Sequence, residues 1–221
     1  RWLLGRIHLA EIHPLLPRRR RGAGLMQSDW TVACTAEDPE IVVPWAGKDP
    51  SLRYVDLRSA PDSIQEIPEA AEYSCVAAAL RRWNQSNISL FTAKCDVWSY
   101  PAKLFDAEDL AEFAYARGSY IDLVPLDAAT FVDFAACERQ LRAWTDIARG
   151  IDLAACRSEW TLRPARIFPS LAALTANDTC LGGFATTLYV WGYGDSPEAA
   201  ALAWDGALRG LIEPVAAVSP S

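Results

Sequence analysis

Two short segments carry the side chains best suited to chemistry. The segment TAKCDVW places Lys94, Asp96 and Trp98 at alternate positions, and SYIDL places Tyr120 and Asp122 in the same way. Alternate residues of a β-strand share one face, so each set lies on one side of its strand if the segment is extended. If the two strands pair, these five side chains form a polar and aromatic candidate ligand face.

The two carboxylates of that face, Asp96 and Asp122, suggest a chemical role for it. Neighbouring carboxylates can divide into a general acid and a general base, because repulsion raises the pKa of one of them. Hydrolases without histidine use such pairs, although Lys94 would compete by pairing with one carboxylate. The alternative is that these residues form the solvent-exposed face of a sheet, where Asp, Lys, Thr and Tyr are expected. The sequence leaves an enzymatic role undecided.

Histidine is confined to the N-terminal segment. His8 and His13 both precede the only methionine, Met26. No periodic pattern connects residues 1–25 to a core, so we interpret them as a disordered or non-native extension, and residues 26–221 as one domain. A domain without histidine has no Ser-His or Cys-His catalytic pair and no His-containing metal site. We therefore predict neither a metal nor an organic cofactor.

The charge distribution argues against nucleic acid as a partner. The chain has 21 basic and 28 acidic residues, and six of the arginines but only one glutamate fall within residues 1–25. The remainder therefore holds 15 basic and 27 acidic residues, a formal net charge of −12. A polyphosphate backbone is repelled by such a body. No apolar run reaches the ~18 residues of a membrane span, so we expect no membrane association either.

The six cysteines are expected to be reduced. None of them forms the closely spaced pair that a zinc ribbon or a thioredoxin-type redox site needs. No secretory signal is recognisable, and a disulfide framework is typical of short secreted chains. We therefore predict a cytoplasmic protein, with a single disulfide as the alternative that the sequence leaves open.

The elements that would position these residues alternate between strand-like and helix-like segments. Period-2 alternation predicts strands in DWTVACTA, IVVPW, LRYVDLR, SLFTAKCDVWSY, SYIDLVPL, SEWTLRPARIF and GGFATTLYVWGYG. Helices are predicted in PEAAEYSCVAAALRRW, AATFVDFAACERQLRAWTDIARG and DSPEAAALAWDGALRGLI, the second with Asp127 as its N-cap. This order predicts an α+β fold, an antiparallel sheet with the helices packed on one face.

Three short matches recur in the same order and suggest three β-β-α units. The matched positions are Thr31, Thr92 and Thr161 in the first strands, Tyr54, Tyr120 and Tyr189 in the second strands, and Trp83, Trp144 and Trp204 in the helices. The helix tryptophans are expected to anchor the core. The alternative to a repeat is one α+β arrangement in which each of these positions is an independent requirement of the core.

An aromatic stripe in the last hairpin completes the candidate sites. Tyr189, Trp191 and Tyr193 alternate along one strand, a pattern typical of a core or of an oligomer interface. We therefore predict a protein–protein interaction or structural module, which binds another protein or associates with itself through this stripe. The alternative is a small-molecule-binding protein or a carboxylate-based hydrolase that uses Asp96 and Asp122.

Overall fold

A computed structural model of the chain describes residues 24–49, 52–101, 113–176 and 179–218. The extension predicted for residues 1–25 therefore lies almost wholly outside the described residues, as does most of the segment 101–117. The strands are β1 (Gln27–Val32), β2 (Ile41–Val43), β3 (Leu90–Pro101), β4 (Tyr115–Pro125), β5 (Cys156–Ile167) and β6 (Leu181–Gly194). The helices are α1 (Pro68–Glu72), α2 (Ser74–Trp83), α3 (Ala128–Val132), α4 (Phe134–Arg149), α5 (Leu171–Thr175) and α6 (Pro197–Ala217), with a 3₁₀ helix at Pro61–Glu66.

The fold is α+β, as predicted, but its sheet is mixed rather than antiparallel. The strand order is β1-β5-β6-β4-β3, with antiparallel pairing from β5 through β6 and β4 to β3. Strands β1 and β2 both run parallel to β5, one after the other along the same edge. They therefore do not form a hairpin with each other. A parallel neighbour requires a long connection, and the chain between β2 and β5 provides it.

One predicted strand, LRYVDLR, is wrong. Within it only Arg53 makes a β-bridge, an isolated one to Ala46. The carboxylate of Asp56 accepts hydrogen bonds from the backbone N–H and the guanidinium of Arg58. Such a side-chain-to-backbone bond stabilises a turn in competition with a strand. Tyr54 consequently does not occupy the same structural position as Tyr120 and Tyr189.

Two of the three predicted helices are interrupted near their start. The first divides at Tyr73 and the second at Asp133, both of which have extended backbone angles. Asp133 accepts hydrogen bonds from two backbone N–H groups of α4 and so begins a new helix. Asp127 is the N-cap of α3, as predicted, through a bond of 2.7 Å from the N–H of Thr130.

The main core lies between the sheet and the helices α2, α4 and α6. Trp83, Trp144 and Trp204 are at most 3% exposed, which confirms that the helix tryptophans anchor the core. The indole of Trp204 donates to the hydroxyl of Ser119 at 2.9 Å, and the other two indoles donate to backbone carbonyls of α6. Their polar edges are therefore satisfied inside an apolar interior.

A second, smaller core lies on the opposite face of the sheet. It contains Phe131 of α3 together with Phe91, Val124 and Ala185 of the sheet. The prediction that the helices pack on one face therefore holds for the three long helices but not for α3. In the part of the chain that the structure describes, no helix has the length and hydropathy needed to cross a membrane.

Candidate functional site

The candidate site is the central part of the sheet face that points away from α2, α4 and α6. On β6, Leu188 and Val190 are buried in the main core, so Tyr189 and Trp191 point to the other side. We call this surface the aromatic face. Its residues on the four strands β3 to β6 are Lys94, Asp96, Trp98, Tyr100, Tyr120, Asp122, Arg157, Glu159, Thr161, Arg163, Thr187, Tyr189, Trp191 and Tyr193.

The structure brings the predicted ligand face and the predicted interface stripe together on this surface. Asp96 lies directly opposite Tyr120 in the β3–β4 register, and Tyr120 lies opposite Tyr189 in the β4–β6 register. The ring centroid of Tyr120 lies 6.1 Å from the ring centroids of Trp98 and of Tyr189. Tyr189 stacks on Trp191 with ring centroids 5.5 Å apart. Two sets that the sequence separates by 66 or more residues thus form one continuous aromatic row.

Gly118 allows the indoles of Trp98 and Trp191 to lie close together. A β-carbon at this position would lie 2.7 Å from Nε1 of Trp98 and 2.8 Å from Cδ1 of Trp191. The two indoles therefore approach each other over a residue that has no side chain. Gly118 lies within β4, which begins at Tyr115.

A β-bulge corrects the predicted positions on β3. The register shifts between Thr92 and Cys95, so simple alternation along TAKCDVW fails. Thr92 bonds to Asn84 at the end of α2 and does not share a face with Asp96. Lys94 lies at the bulge, with its ammonium 5.4 Å from the ring centroid of Trp45. Its charge still favours the ionised forms of both Asp96 and Asp122.

Asp122 is the most unusual ionisable group of the aromatic face. It is 7% exposed, and its Oδ1 accepts a hydrogen bond of 2.7 Å from the hydroxyl of Thr187. Burial raises the pKa of this carboxyl to about 6, against the opposing effects of Thr187, Lys94 and Arg163. Near neutral pH a fraction of the molecules therefore holds this carboxyl protonated.

Asp96 differs from Asp122 in its surroundings. It is exposed, and its Oδ1 accepts the backbone N–H of Val97 at 2.8 Å. Partial burial raises the pKa of Asp96, and Lys94 opposes this rise. Neither aspartate is among the causes that shift the pKa of the other. The two carboxylates are therefore not a closely coupled acid–base pair of the kind that shares one proton.

Strand β5 adds charged residues that the sequence analysis did not include. Arg157 pairs with Glu159 at 3.3 Å, and Arg163 donates to the hydroxyl of Tyr189 at 3.2 Å. Glu159 and Arg163 are both at most 9% exposed. The alternation in SEWTLRPAR places Glu159 and Arg163 on the same face of a strand, but only the strand order brings β5 next to β6.

Tyr193, the last residue of the predicted stripe, is less accessible than the other two. It is 8% exposed and stacks on Phe113 with ring centroids 5.8 Å apart. Burial raises the pKa of its hydroxyl, and the positive charge of Arg157 opposes this rise. Tyr193 therefore supports the face from one end, whereas Tyr189 and Trp191 are its partly exposed centre.

At each edge of the sheet a side chain occupies one outward-facing backbone carbonyl. On β3, the indole of Trp45 donates to the carbonyl of Ala93 at 2.8 Å, next to the bulge and the exposed Lys94. On β1, Nε of Arg149 donates to the carbonyl of Ser28 at 2.9 Å. A bulge, an edge lysine and occupied backbone groups are features that prevent edge-to-edge pairing.

The described residues do not offer a conventional metal or thiol centre. Among them, no group of three or more His, Cys, Asp or Glu side chains is placed to hold a metal ion. The six cysteines are free thiols, and burial raises the pKa of Cys75 to about 12 and that of Cys137 and Cys156 to about 11. Such thiols are poor nucleophiles, because the thiolate is the reactive form.

The comparisons with known proteins do not assign this site. No protein-family model matches the sequence, and comparisons with curated proteins and with solved structures give no match either. The function is therefore argued from the geometry of the aromatic face.

Proposed function

We propose that this chain is a protein-interaction module that associates with a second copy of itself through the aromatic face. The observation that carries the proposal is the composition of that face. Tryptophan, tyrosine and arginine dominate the energetics of protein interfaces, and Trp98, Tyr120, Tyr189, Trp191 and Arg157 lie together there, each partly exposed.

The charges of the aromatic face favour a second copy over a strongly basic or acidic partner. Three cations, Lys94, Arg157 and Arg163, balance three carboxylates, Asp96, Asp122 and Glu159. The whole chain has a formal net charge of −7, so two copies repel each other over most of their surfaces. Contact through a patch without net charge avoids that repulsion.

The strand order also allows a two-fold contact through the face. Both arginines lie on β5, and the exposed Asp96 lies on β3, with the aromatic strands β6 and β4 between them. A two-fold axis parallel to the strands and between β6 and β4 places β5 of one copy over β3 of the other. Such an isologous contact stacks the aromatic centres of the two copies on each other.

The protected edges support contact through the face. Trp45 and Lys94 at one edge and Arg149 at the other make a shared sheet between two copies less favourable. The face, in contrast, has partly exposed aromatic rings that are already ordered by stacking, so little side-chain entropy is lost on binding.

Replacing Trp191 by alanine is expected to weaken the dimer strongly. A tryptophan at the centre of an interface typically contributes ~2 kcal/mol or more, which corresponds to an increase of about 30-fold in the dissociation constant. Sedimentation equilibrium of the full chain over a range of concentrations measures this constant.

The matched control is Leu202→Ala, because Leu202 of α6 is 75% exposed and lies outside the aromatic face. This variant should dimerise like the unchanged chain. Thermal unfolding of both variants separates loss of the interface from loss of the fold. A chain that stays monomeric at ~100 μM, or equal dissociation constants for folded Trp191→Ala and Leu202→Ala, would contradict the proposal.

A second candidate function is small-molecule binding or hydrolysis with Asp96 and Asp122. The observation in its favour is the pKa of Asp122, which at about 6 suits a general acid near neutral pH. A thermal-shift screen of metabolites against the full chain tests this candidate, with Asp96→Asn and Asp122→Asn as the variants. Ligand-dependent stabilisation and turnover that survive both substitutions would exclude it.

We also retain three β-β-α units as a proposal. Each of α2, α4 and α6 follows two strands in the chain order, although the second strand of the first unit is then β2 and not the predicted segment around Tyr54. Thr31 is the register neighbour of Thr161, and Tyr120 is that of Tyr189. These pairings support matched positions between units, whereas the linear arrangement of β1 and β2 along one edge distinguishes the first unit from the others.

We further propose that the protein acts in the cytoplasm and not on nucleic acid. Five of the six thiols have a raised pKa and are at least partly buried, which is compatible with a reducing compartment. The basic residues of the aromatic face are balanced by carboxylates, so no uncompensated basic patch is available there for phosphates.

A further inference from the structure

Asp122 lies next to the two-fold axis of the proposed dimer. Asp122 on β4 and Thr187 on β6 are register partners, so an axis between these two strands passes between them. Rotation about an axis parallel to the strands keeps each residue at the same height along the sheet. The Asp122 carboxyls of the two copies therefore face each other obliquely across the interface, and closing the interface brings two like groups together.

The charge of Asp122 is only partly compensated within one copy. Its carboxyl is buried, and the hydrogen bond that it accepts comes from the neutral hydroxyl of Thr187. Lys94 of β3 and Arg163 of β5 favour its ionised form through their charge and not through a hydrogen bond. A buried carboxylate without a bonded cation is costly to keep ionised.

The other titratable groups that face Asp122 supply no positive charge. They are Cys95 of β3, Tyr120 of β4 and Tyr189 of β6. Burial raises the pKa of each of these groups, and the charge of Asp122 adds to the rise, so all three are neutral at neutral pH. Proton uptake by Asp122 itself is therefore the direct way to remove the buried charge.

We propose that the dimer through the aromatic face takes up protons at Asp122 and is therefore tighter at pH 5.5 than at pH 7.5. This inference rests on the proposed dimer. Two ionised carboxylates close to one axis, shielded from water by the stacked rings, repel each other. A carboxyl that has taken a proton from the solvent instead donates a hydrogen bond to its ionised neighbour, and the pair shares that proton.

The titration falls in a range where few other groups change charge. Burial raises the pKa of Asp122 to about 6 in the single chain, and the carboxyl of a second copy raises it further. Residues 26–221 contain no histidine. The dimer then holds more protons than two separate chains, so its dissociation constant falls as the pH falls. Each proton also reduces the formal net charge of −7 that makes two copies repel each other.

Sedimentation equilibrium of the full chain at pH 5.5 and pH 7.5 tests this proposal. If association raises the pKa of Asp122 by about 1, the dissociation constant should be about 5-fold lower at pH 5.5. The imidazoles of His8 and His13 titrate in the same interval. A variant that carries both His8→Gln and His13→Gln should therefore keep the 5-fold difference.

Three further variants assign the effect to a residue. Asp122→Asn should dimerise more tightly than the unchanged chain at pH 7.5 and differ by less than about 2-fold between the two pH values, because an amide does not ionise. Asp96→Asn is the matched control, since Asp96 is on the same face but exposed, and it should keep the pH dependence. Thr187→Val removes a hydrogen bond that favours the ionised carboxyl and should move the change to higher pH.

The outcomes separate this inference from the dimer on which it rests. Equal dissociation constants at the two pH values, or a weaker dimer at pH 5.5, would overturn the inference and leave the proposed dimer in place. A chain that stays monomeric at ~100 μM at both pH values would overturn both. A pH dependence that persists in Asp122→Asn, or that disappears with the two histidines, would show that another group takes up the proton.

Discussion

A Gly192→Ala variant is expected to lose about 3 kcal/mol or more of its free energy of unfolding, and this is the largest effect of a single methyl group that the fold predicts. A β-carbon at this position would overlap the backbone nitrogen of Trp204 and lie 2.5 Å from the carbonyl oxygen of Ala200. Both atoms belong to the backbone of α6, so no side-chain rotation can relieve the overlap. The helix itself must move away from β6.

That displacement would also disturb the contact between the helix and the site. Trp204 is 2% exposed and donates to the hydroxyl of Ser119 on β4. Ser119 lies between Gly118 and Tyr120, which carry the aromatic face on their other side. Urea unfolding measures the loss of stability, and near-ultraviolet circular dichroism reports the packing of the aromatic rings.

Gly182→Ala is the matched control for this prediction. It makes the same change in the same strand, but its added β-carbon meets no atom within 4 Å. A change of no more than about 0.5 kcal/mol is expected there. Equal unfolding midpoints for the two variants would show that β6 and α6 are not in the close contact described here.

An Asp122→Asn variant is expected to be more stable than the unchanged chain at pH 7.5, by about 1–3 kcal/mol. The folded state raises the pKa of Asp122 from its ordinary value of 3.8 to about 6 because the carboxyl is buried. Each unit of pKa corresponds to about 1.4 kcal/mol. The substitution removes the penalty for burying a charge, while the amide oxygen still accepts the hydrogen bond from Thr187.

The pH dependence of this effect has a definite sign. Between about pH 4 and pH 6 the unfolded chain has released the proton of Asp122 and the folded chain still holds it. The folded state therefore binds more protons than the unfolded state, so the free energy of unfolding falls as the pH rises through this interval. Above about pH 6 this group causes no further change. In Asp122→Asn this decrease should be absent, and the two proteins should have similar stability below pH 4.

Asp96→Asn provides the comparison, because Asp96 is on the same face but exposed. Its stability profile between pH 4 and pH 6 should keep the decrease caused by Asp122. If Asp122→Asn retained the full decrease, the buried carboxyl would not be the group responsible. A buried carboxylate that lowers stability at neutral pH is also a common feature of functional sites, which makes this variant informative for the second candidate function.

Much of the local structure could be predicted because it depends on short-range periodicity. The alternation in GGFATTLYVWGYG correctly indicates that Tyr189 and Trp191 share one face of β6, away from Leu188 and Val190. The capping role of Asp127 also follows from its own neighbours. Predictions failed where a single side chain or an extra residue changed the local backbone. Asp56 turns the chain that was predicted as a strand, and the bulge before Cys95 interrupts the predicted alternation along TAKCDVW.

The order of the strands could not be predicted from local sequence patterns. Residues 27–32 pair with residues 157–162 in parallel, and nothing in either segment specifies that partner. The pairing includes contacts between residues that are distant in the chain, such as the bond between the hydroxyls of Ser158 and Ser28.

The amino-acid sequence by itself determined which side chains share a face of a regular strand such as β6, that residues 26–221 are acidic, and that they contain no histidine. Only the tertiary structure decided that β6 lies between β4 and β5, so that the predicted ligand face and the predicted interface stripe are one surface flanked by Arg157 and Arg163. The physical reason is that side-chain alternation has a period of two residues and acts locally. Strand order and register, in contrast, follow from the packing of the whole core, in which glycines such as Gly192 allow the helices to approach.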